Sequence, residues 1–359
     1  MIIFDAHLDL AWNAVSFNRD LTLSVQEIQE REQGMTDEPS RGRNTVTLPE
    51  LRKADVRVCV ATLLARAGPQ RKWQQGYKRT DLDHAAQPIA YAAARGQLAY
   101  YRLLERQGHV RMLRTVDDLE SHWLRGAKDA SQPLGIILSM EGTDPMVSVE
   151  QVNEWWETGL RAAGPAHYGR SHYAYGTGVD GPLSAAGVEL LREFERVGMI
   201  LDVTHLSDQS MAQALDLFGG PVLASHHNCR ALVPGDRQLG DEQIKRLISR
   251  GAVIGAALDA WMLYPGWVRG KTQPQVVGLE AVVDHIDHVC QIAGNARHSA
   301  IGSDLDGGFG TEQTPRDLNT IADLQKLDGI LASRGYSDDD IDLIFHGNWR
   351  RFFATALPE

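Results

Sequence analysis

The sequence is poor in cysteine, in net positive charge and in long apolar runs. Its three cysteines, Cys59, Cys229 and Cys290, are odd in number and scattered. They make no disulfide framework and read as reduced intracellular thiols. Lysine and arginine number 36 against 47 aspartates and glutamates, a net charge of −11. An acidic surface repels phosphate backbones, so no nucleic-acid partner is expected. No stretch approaches the roughly 18 consecutive apolar residues of a membrane helix. The opening MIIFDAHLDL has no basic n-region, and the closing RRFFATALPE has no hydrophobic tail. Neither reads as a signal or an anchor, so the expectation is a cytoplasmic protein with no membrane partner. Sequence repeats are missing too, as are a Walker loop, a G-x-S-x-G elbow and a reactive-cysteine motif.

What is present is a chain of 359 residues, 43% hydrophobic and 23% charged. That is enough to bury a large core without disulfide staples. At about 150 residues per domain the length suggests two domains, yet no linker divides two cores. Barrels of alternating strands and helices exceed about 300 residues as one domain, and one domain over 1–359 is expected.

Short apolar runs ending in polar residues alternate with helix-like stretches. The runs fall at 2–4, 56–64, 134–140, 165–168, 199–203, 222–225, 252–258 and 299–302, the fourth being weak. Helical patterns occupy 85–106, the stretch after Ser184 closed by Gly198, 279–293, and the stretch after Ser337. This alternation implies parallel pairing with right-handed crossovers. Eight units make an α/β fold of the (β/α)8 TIM-barrel type, with an open sheet as the fallback. From 15 to 45 the rhythm breaks into polar sequence, EIQEREQG and DEPSRGRN. A connection this long after the first strand is either a lid over the active face or a solvated insertion.

The ionisable residues favour the barrel. Catalytic groups of such barrels stand where strands end and the following loops begin. Five runs here end in metal-competent residues: His7 with Asp9, Glu141, His205, His226 and Asp304. His7 and Asp9 are two apart, which places them on one face of a strand. Glu141 ends ILSMEG with no adjacent cation, so a metal ion would satisfy it; the alternative is a salt bridge to a distant arginine. Of the pair His226 and His227 only one can face inward, and His226 directly follows the apolar run. Histidine and carboxylate ligands without cysteine suit zinc, with manganese and cobalt as alternatives. Asp304, in IGSDLDGG, has the chemistry to hold a metal and to carry a proton; Asp306 reads as a structural hydrogen-bonder in the same turn.

Three other features read as structural. GTGVDG at 176–181 fits G-x-G-x-x-G, but SHYAY precedes it and Pro182 follows, which reads as a loop and not a dinucleotide site. His285 and His288, at helical spacing, are expected to face solvent. Trp155, Trp156, Trp261 and Trp267 read as core or loop packing.

Together FDAHLDL, SMEGTDP, MILDVTHLSD, ASHHNCRAL, DRQLGDEQI, DHIDHVCQIAG, IGSDLDGG and GNWRRFF carry a resemblance. The chain resembles the membrane dipeptidase (renal dipeptidase-like) family of binuclear zinc peptidases over essentially its whole length. That resemblance implies a (β/α)8 barrel of the metal-dependent hydrolase type and hydrolysis of dipeptides through a metal-bridging hydroxide. His7 and Asp9 would hold one zinc, Glu141 would bridge both, and His205 and His226 would hold the second. Asp304 would sit near the first zinc as proton carrier, and Arg237 would bind the substrate's terminal carboxylate. His167, in PAHYG, would polarise the scissile carbonyl, with His172 as a competing candidate because the preceding strand departs from the family pattern. The second strand, ADVRVCVATLLAR, also departs from it, which bears on side-chain preference. A homodimer is implied by the resemblance alone. Another metallohydrolase on the same barrel, an N-acyl amino acid amidase, a lactonase or a phosphotriesterase-like enzyme, is the alternative. The lysine that often bridges the metals in those enzymes is missing from the strand ends. A barrel that has lost catalysis and only binds would lack one of the six ligands, and none is lacking.

Overall fold

The computed structural model describes residues 1–68, 82–126 and 132–359. Eight strands form the barrel wall: β1 Ile3–Leu8, β2 Val56–Leu64, β3 Leu134–Glu141, β4 Leu160–Gly164, β5 Ile200–Asp202, β6 Val222–Leu223, β7 Ile254–Ala256 and β8 Ser299–Ile301. The first six pair in parallel in that order, and β7 pairs in parallel with β8. Ala224 bridges to Ile254, and the Gly255 N–H donates to the Ala224 carbonyl at 2.9 Å, joining the two sheets. The ring comes round where the Asp304 N–H donates to the His7 carbonyl at 3.3 Å. Beside it the Ser303 N–H donates to Asp5 Oδ1 at 2.8 Å. The eight-unit parallel barrel is therefore the fold, with helices such as Ala185–Val197 and Glu280–Ala293 outside it. Gly198 and Gly294 end those two helices with φ of 84° and 69°, the left-handed turn that glycine adopts without penalty.

Two details depart from the sequence pattern. The fourth strand is Leu160–Gly164 and not 165–168, because Pro165 has no N–H to offer a ladder. A short strand, Val110–Met112, pairs with the start of β3 before β4 takes over from Leu138. His285 is also buried, not solvent-facing: its Nδ1 accepts the Cys229 N–H at 3.0 Å. His288 does lie at the surface, 2.8 Å from Asp241.

Phe4, Ala6, Val58, Val60, Ile137, Ala162, Ile200, Leu223, Val253 and Ala300 fill the barrel's interior. At the N-terminal end of the strands Trp349, Phe352 and Phe353 complete this cluster, and Phe353 stacks on Phe4 at 5.4 Å. The indole N–H of Trp349 donates to the Ile301 carbonyl at 2.8 Å, which accounts for the buried tip of that large side chain. A second, larger core lies between strands and helices and includes Ile3, Leu8, Cys59 and Ala61.

The polar stretch after β1 is folded onto the barrel. It contains a capped helix, Val25–Arg31, in which Ser24 and Glu27 form a reciprocal capping box. Leu21, Val25 and Ile28 are buried beneath it. Glu32 accepts from Arg19 and Arg41 at 2.8 Å each. Asp306, after β8, accepts from the Thr45 N–H and hydroxyl at 2.7 Å each and from the Val46 N–H at 3.0 Å. The turn residue thus ties the stretch to the loop that carries Asp304.

Candidate metal centre

Along β3, Ile137, Ser139 and Glu141 share the inward face, and Glu141 is the last residue of the strand. Its carboxylate is the hub of the site. His205 Nε2 and His226 Nε2 lie 3.1 Å and 3.2 Å from Oε1, and His167 Nε2 lies 3.7 Å from it. His7 Nε2 lies 3.5 Å from Oε2. The same His7 nitrogen is 3.7 Å from Asp9 Oδ2 and 3.7 Å from Asp304 Oδ1.

Local backbone departures aim these groups. In β1, Phe4 and Ala6 face the barrel interior but Leu8 belongs to the outer core. Between Asp5 and Leu8 the strand uses three steps against the two from Cys59 to Ala61. That bulge reverses the alternation and turns His7 and Asp9 inward. His205 and Asp304 have φ of 69° and 57°, a left-handed conformation that is uncommon outside glycine. Both lie just past strand ends, where the chain turns from wall to loop.

Further partners orient the ligands. Ser225 Oγ lies 3.0 Å from His226 Nδ1, and Thr177 Oγ1 lies 3.0 Å from His205 Nδ1. A hydrogen bond at Nδ1 fixes the ring and leaves Nε2 for the centre. Thr62 donates to Asp9 Oδ1. Thr177 belongs to the Gly-rich loop, and Gly176 is needed there: a Cβ would stand 1.8 Å from the His167 carbonyl. None of Thr62, Thr177 and Ser225 is marked by the sequence pattern, since a buried hydroxyl next to a strand end is ordinary. His227 turns from the centre, its Nδ1 lying 3.4 Å from Arg237. His172 is exposed and outside the cluster, while its N–H donates to Asp144 at 3.1 Å.

The electrostatics call for added positive charge. Burial opposes the charge on Glu141, yet His167, His7, His205 and His226 hold its carboxyl well below the usual range. Burial likewise opposes a charge on His7, but Glu141 and Asp9 overcome it and raise His7 well above the ordinary value. Asp304 is pushed well up by burial, with Glu141 and Asp9 adding to the effect. His205 and His226 are driven well down by burial. Both ring nitrogens of His7 are buried without a hydrogen-bond partner, and His205 Nε2 faces His226 Nε2 at 3.2 Å. Divalent cations answer both features. Three donor sets have ligand atoms within 4.8 Å of one another: His7 with Asp9 and Asp304, His7 with Glu141 and His226, and Glu141 with His167 and His205.

Arg237 stands beside this cluster and is 1% exposed. Its Nη2 donates to the His226 carbonyl at 2.9 Å, and no carboxylate pairs with it among the described residues. A buried guanidinium without a counter-ion is a receptor for an anion. His167 is lowered to about 3 by burial, so its ring is neutral at working pH.

The sequence model of the membrane dipeptidase family, peptidase family M19, matches residues 1–357. Dipeptidase tcpJ of Claviceps purpurea is 32% identical over 169 residues, 46% of this chain and 36% of that protein. An uncharacterised dipeptidase of Schizosaccharomyces pombe is 28% identical over 226 residues, 61% of this chain and 53% of its own length. The chain thus spans about half or less of these two relatives. Among solved structures, a dipeptidase of family M19 superposes with a TM-score of 0.79 at 20% identity, covering 100% of this chain and 99% of that one. A metallopeptidase of Rhodobacter sphaeroides, bound to a phosphinate mimic of L-Ala-D-Ala, gives 0.78 at 20% identity, with 99% of each chain covered.

Proposed function

The chain belongs to the membrane dipeptidase family, and from that membership and the clustered donor atoms we propose that it hydrolyses the peptide bond of dipeptides with two divalent cations, zinc. The observation that carries the reading is Glu141, whose two oxygens face His7 on one side and His205 with His226 on the other. His7, Asp9 and Asp304 would hold one ion and His205 and His226 the other, with Glu141 between them. When bound, such a pair would supply Lewis acidity, lowering the pKa of water at the site toward about 7 and polarising the scissile carbonyl.

This chain's own residues supply the rest. Arg237 fixes the substrate's terminal carboxylate through its fork, which restricts the site to short peptides. His167, neutral and buried, donates an N–H to the oxygen that gains charge, without the cost of moving a proton first. Asp304 takes the proton released by the attacking water and returns it to the leaving nitrogen. Two copies of the chain are proposed to associate, on family resemblance alone.

Stripping metal with a chelator abolishes dipeptide hydrolysis, adding zinc restores it, and metal analysis of the restored enzyme finds two ions per chain. Full turnover by metal-free enzyme overturns the reading.

A further inference from the structure

The loops after β7 and β8 build a polar relay that the chemistry above does not use. Asp259, three residues past β7, is 4% exposed, and Gln313 Nε2 donates to its two carboxylate oxygens at 2.9 Å and 3.0 Å. The other end of the same amide, Oε1, accepts from Arg269 Nε at 3.1 Å. Gln313 is itself buried, and its carbonyl accepts the Ala260 N–H at 2.9 Å, which joins the two loops. Two buried side chains therefore orient one exposed guanidinium.

That guanidinium belongs to the loop after β7, and so to the same end of the barrel as the metal donors. The marker is Tyr168, whose ring lies 4.8 Å from His167 and 5.0 Å from His205. Its phenol lies in the fields of Arg237, Asp259, Asp304 and Arg269 together. Arg66 also approaches this ring, at 5.8 Å, but its fork is engaged by Asp83 at 2.9 Å and 3.0 Å. Arg269 has no carboxylate partner among the described ion pairs. Burial raises Asp259 to about 7, so this acid, linked to Arg269 through Gln313, neutralises it only in part. One end of the barrel thus presents two cations that no carboxylate pairs with directly among the described residues, Arg237 buried and Arg269 exposed.

We propose that Arg269 receives a second carboxylate of the substrate, making dipeptides with an acidic side chain the favoured class. Arg237 takes the terminal carboxylate and Arg269 the side-chain one, with Gln313 and Asp259 holding the receptor in place. The inference rests on the dipeptidase reading and narrows it. Charge-assisted hydrogen bonds to a carboxylate exceed those to a neutral amide by an amount worth about tenfold in binding.

The test is kcat/KM of the metal-loaded enzyme for isosteric pairs, Asp against Asn and Glu against Gln, placed at either position of an alanine dipeptide. The acid exceeds its amide by about tenfold at one position at low ionic strength. The margin shrinks as salt rises, because the receptor is exposed. Arg269→Met brings the ratio to near one, and Arg269→Lys keeps part of it; melting temperatures establish that both variants are folded. An acid-to-amide ratio near one in the unmodified enzyme, or one that survives Arg269→Met, removes the inference and leaves dipeptide hydrolysis standing. Failure to cleave any dipeptide, acidic or neutral, removes both.

Discussion

Asp259 couples folding to pH. Burial raises its pKa from 3.8 to about 7, against the pull of Arg269 and Gln313. The folded chain then keeps a proton between those two values that the unfolded chain has already lost. Stability from this group is greatest below the unfolded value and falls as pH rises toward 7, by up to about 4 kcal/mol. Asp259→Asn removes the slope, so urea unfolding shows the variant gaining on the parent chain between pH 5 and pH 8. A difference that stays constant over that range contradicts the assignment. Single residues were the most legible part of the candidate site. His7, Asp9, Glu141, His205, His226 and Asp304 stand out because ionisable groups at the ends of apolar runs are costly without a partner. The hydroxyls that orient them, Thr62, Thr177 and Ser225, did not stand out, for serine and threonine meet many needs inside a protein.

At the scale of elements, the loop after β8 is the one most constrained. Asp304 and Asp306 both have left-handed φ, and Asp306 holds Thr45 and Val46 from two residues beyond Asp304. Asp306→Ala leaves two N–H groups and a hydroxyl unpaired in a buried place, costing on the order of 3 kcal/mol by urea denaturation. Because the loop that carries Asp304 loses its tie to Thr45 and Val46, kcat falls more than KM rises; unchanged kcat in a folded variant separates the clamp from catalysis. Strand number and order were readable because apolar runs and helical patterns alternate. The bulge in β1 was not, since it depends on register against β2 and leaves no mark in composition. The fourth strand was misplaced by several residues because Leu160–Gly164 is rich in small residues and carries no strong apolar signal. The polar stretch after β1 reads as either a lid or a solvated insertion; it folds down because a few apolar residues, Leu21, Val25 and Ile28, are spaced to reach the barrel.

For the molecule as a whole, a metal ion held by the clustered donors would link binding to folding. His7 and Asp9 come from the opposite end of the chain to Asp304, and their ligand atoms meet only in the folded barrel. An ion bound there at about a thousand times its dissociation constant stabilises by about 4 kcal/mol. For a chain of this length that corresponds to about 5 °C in melting temperature, read by calorimetry with zinc against chelator. Equal melting temperatures with and without metal exclude a linked site. The aromatic cluster of Phe4, Trp349 and Phe353 at the other end of the strands has its own outcome for turnover. Among the described residues it closes that end of the barrel interior. On the proposed dipeptidase reading, both amino acids released by a cut would leave by the loop end through which their parent peptide came in, and either one, accumulating outside, would slow the next arrival.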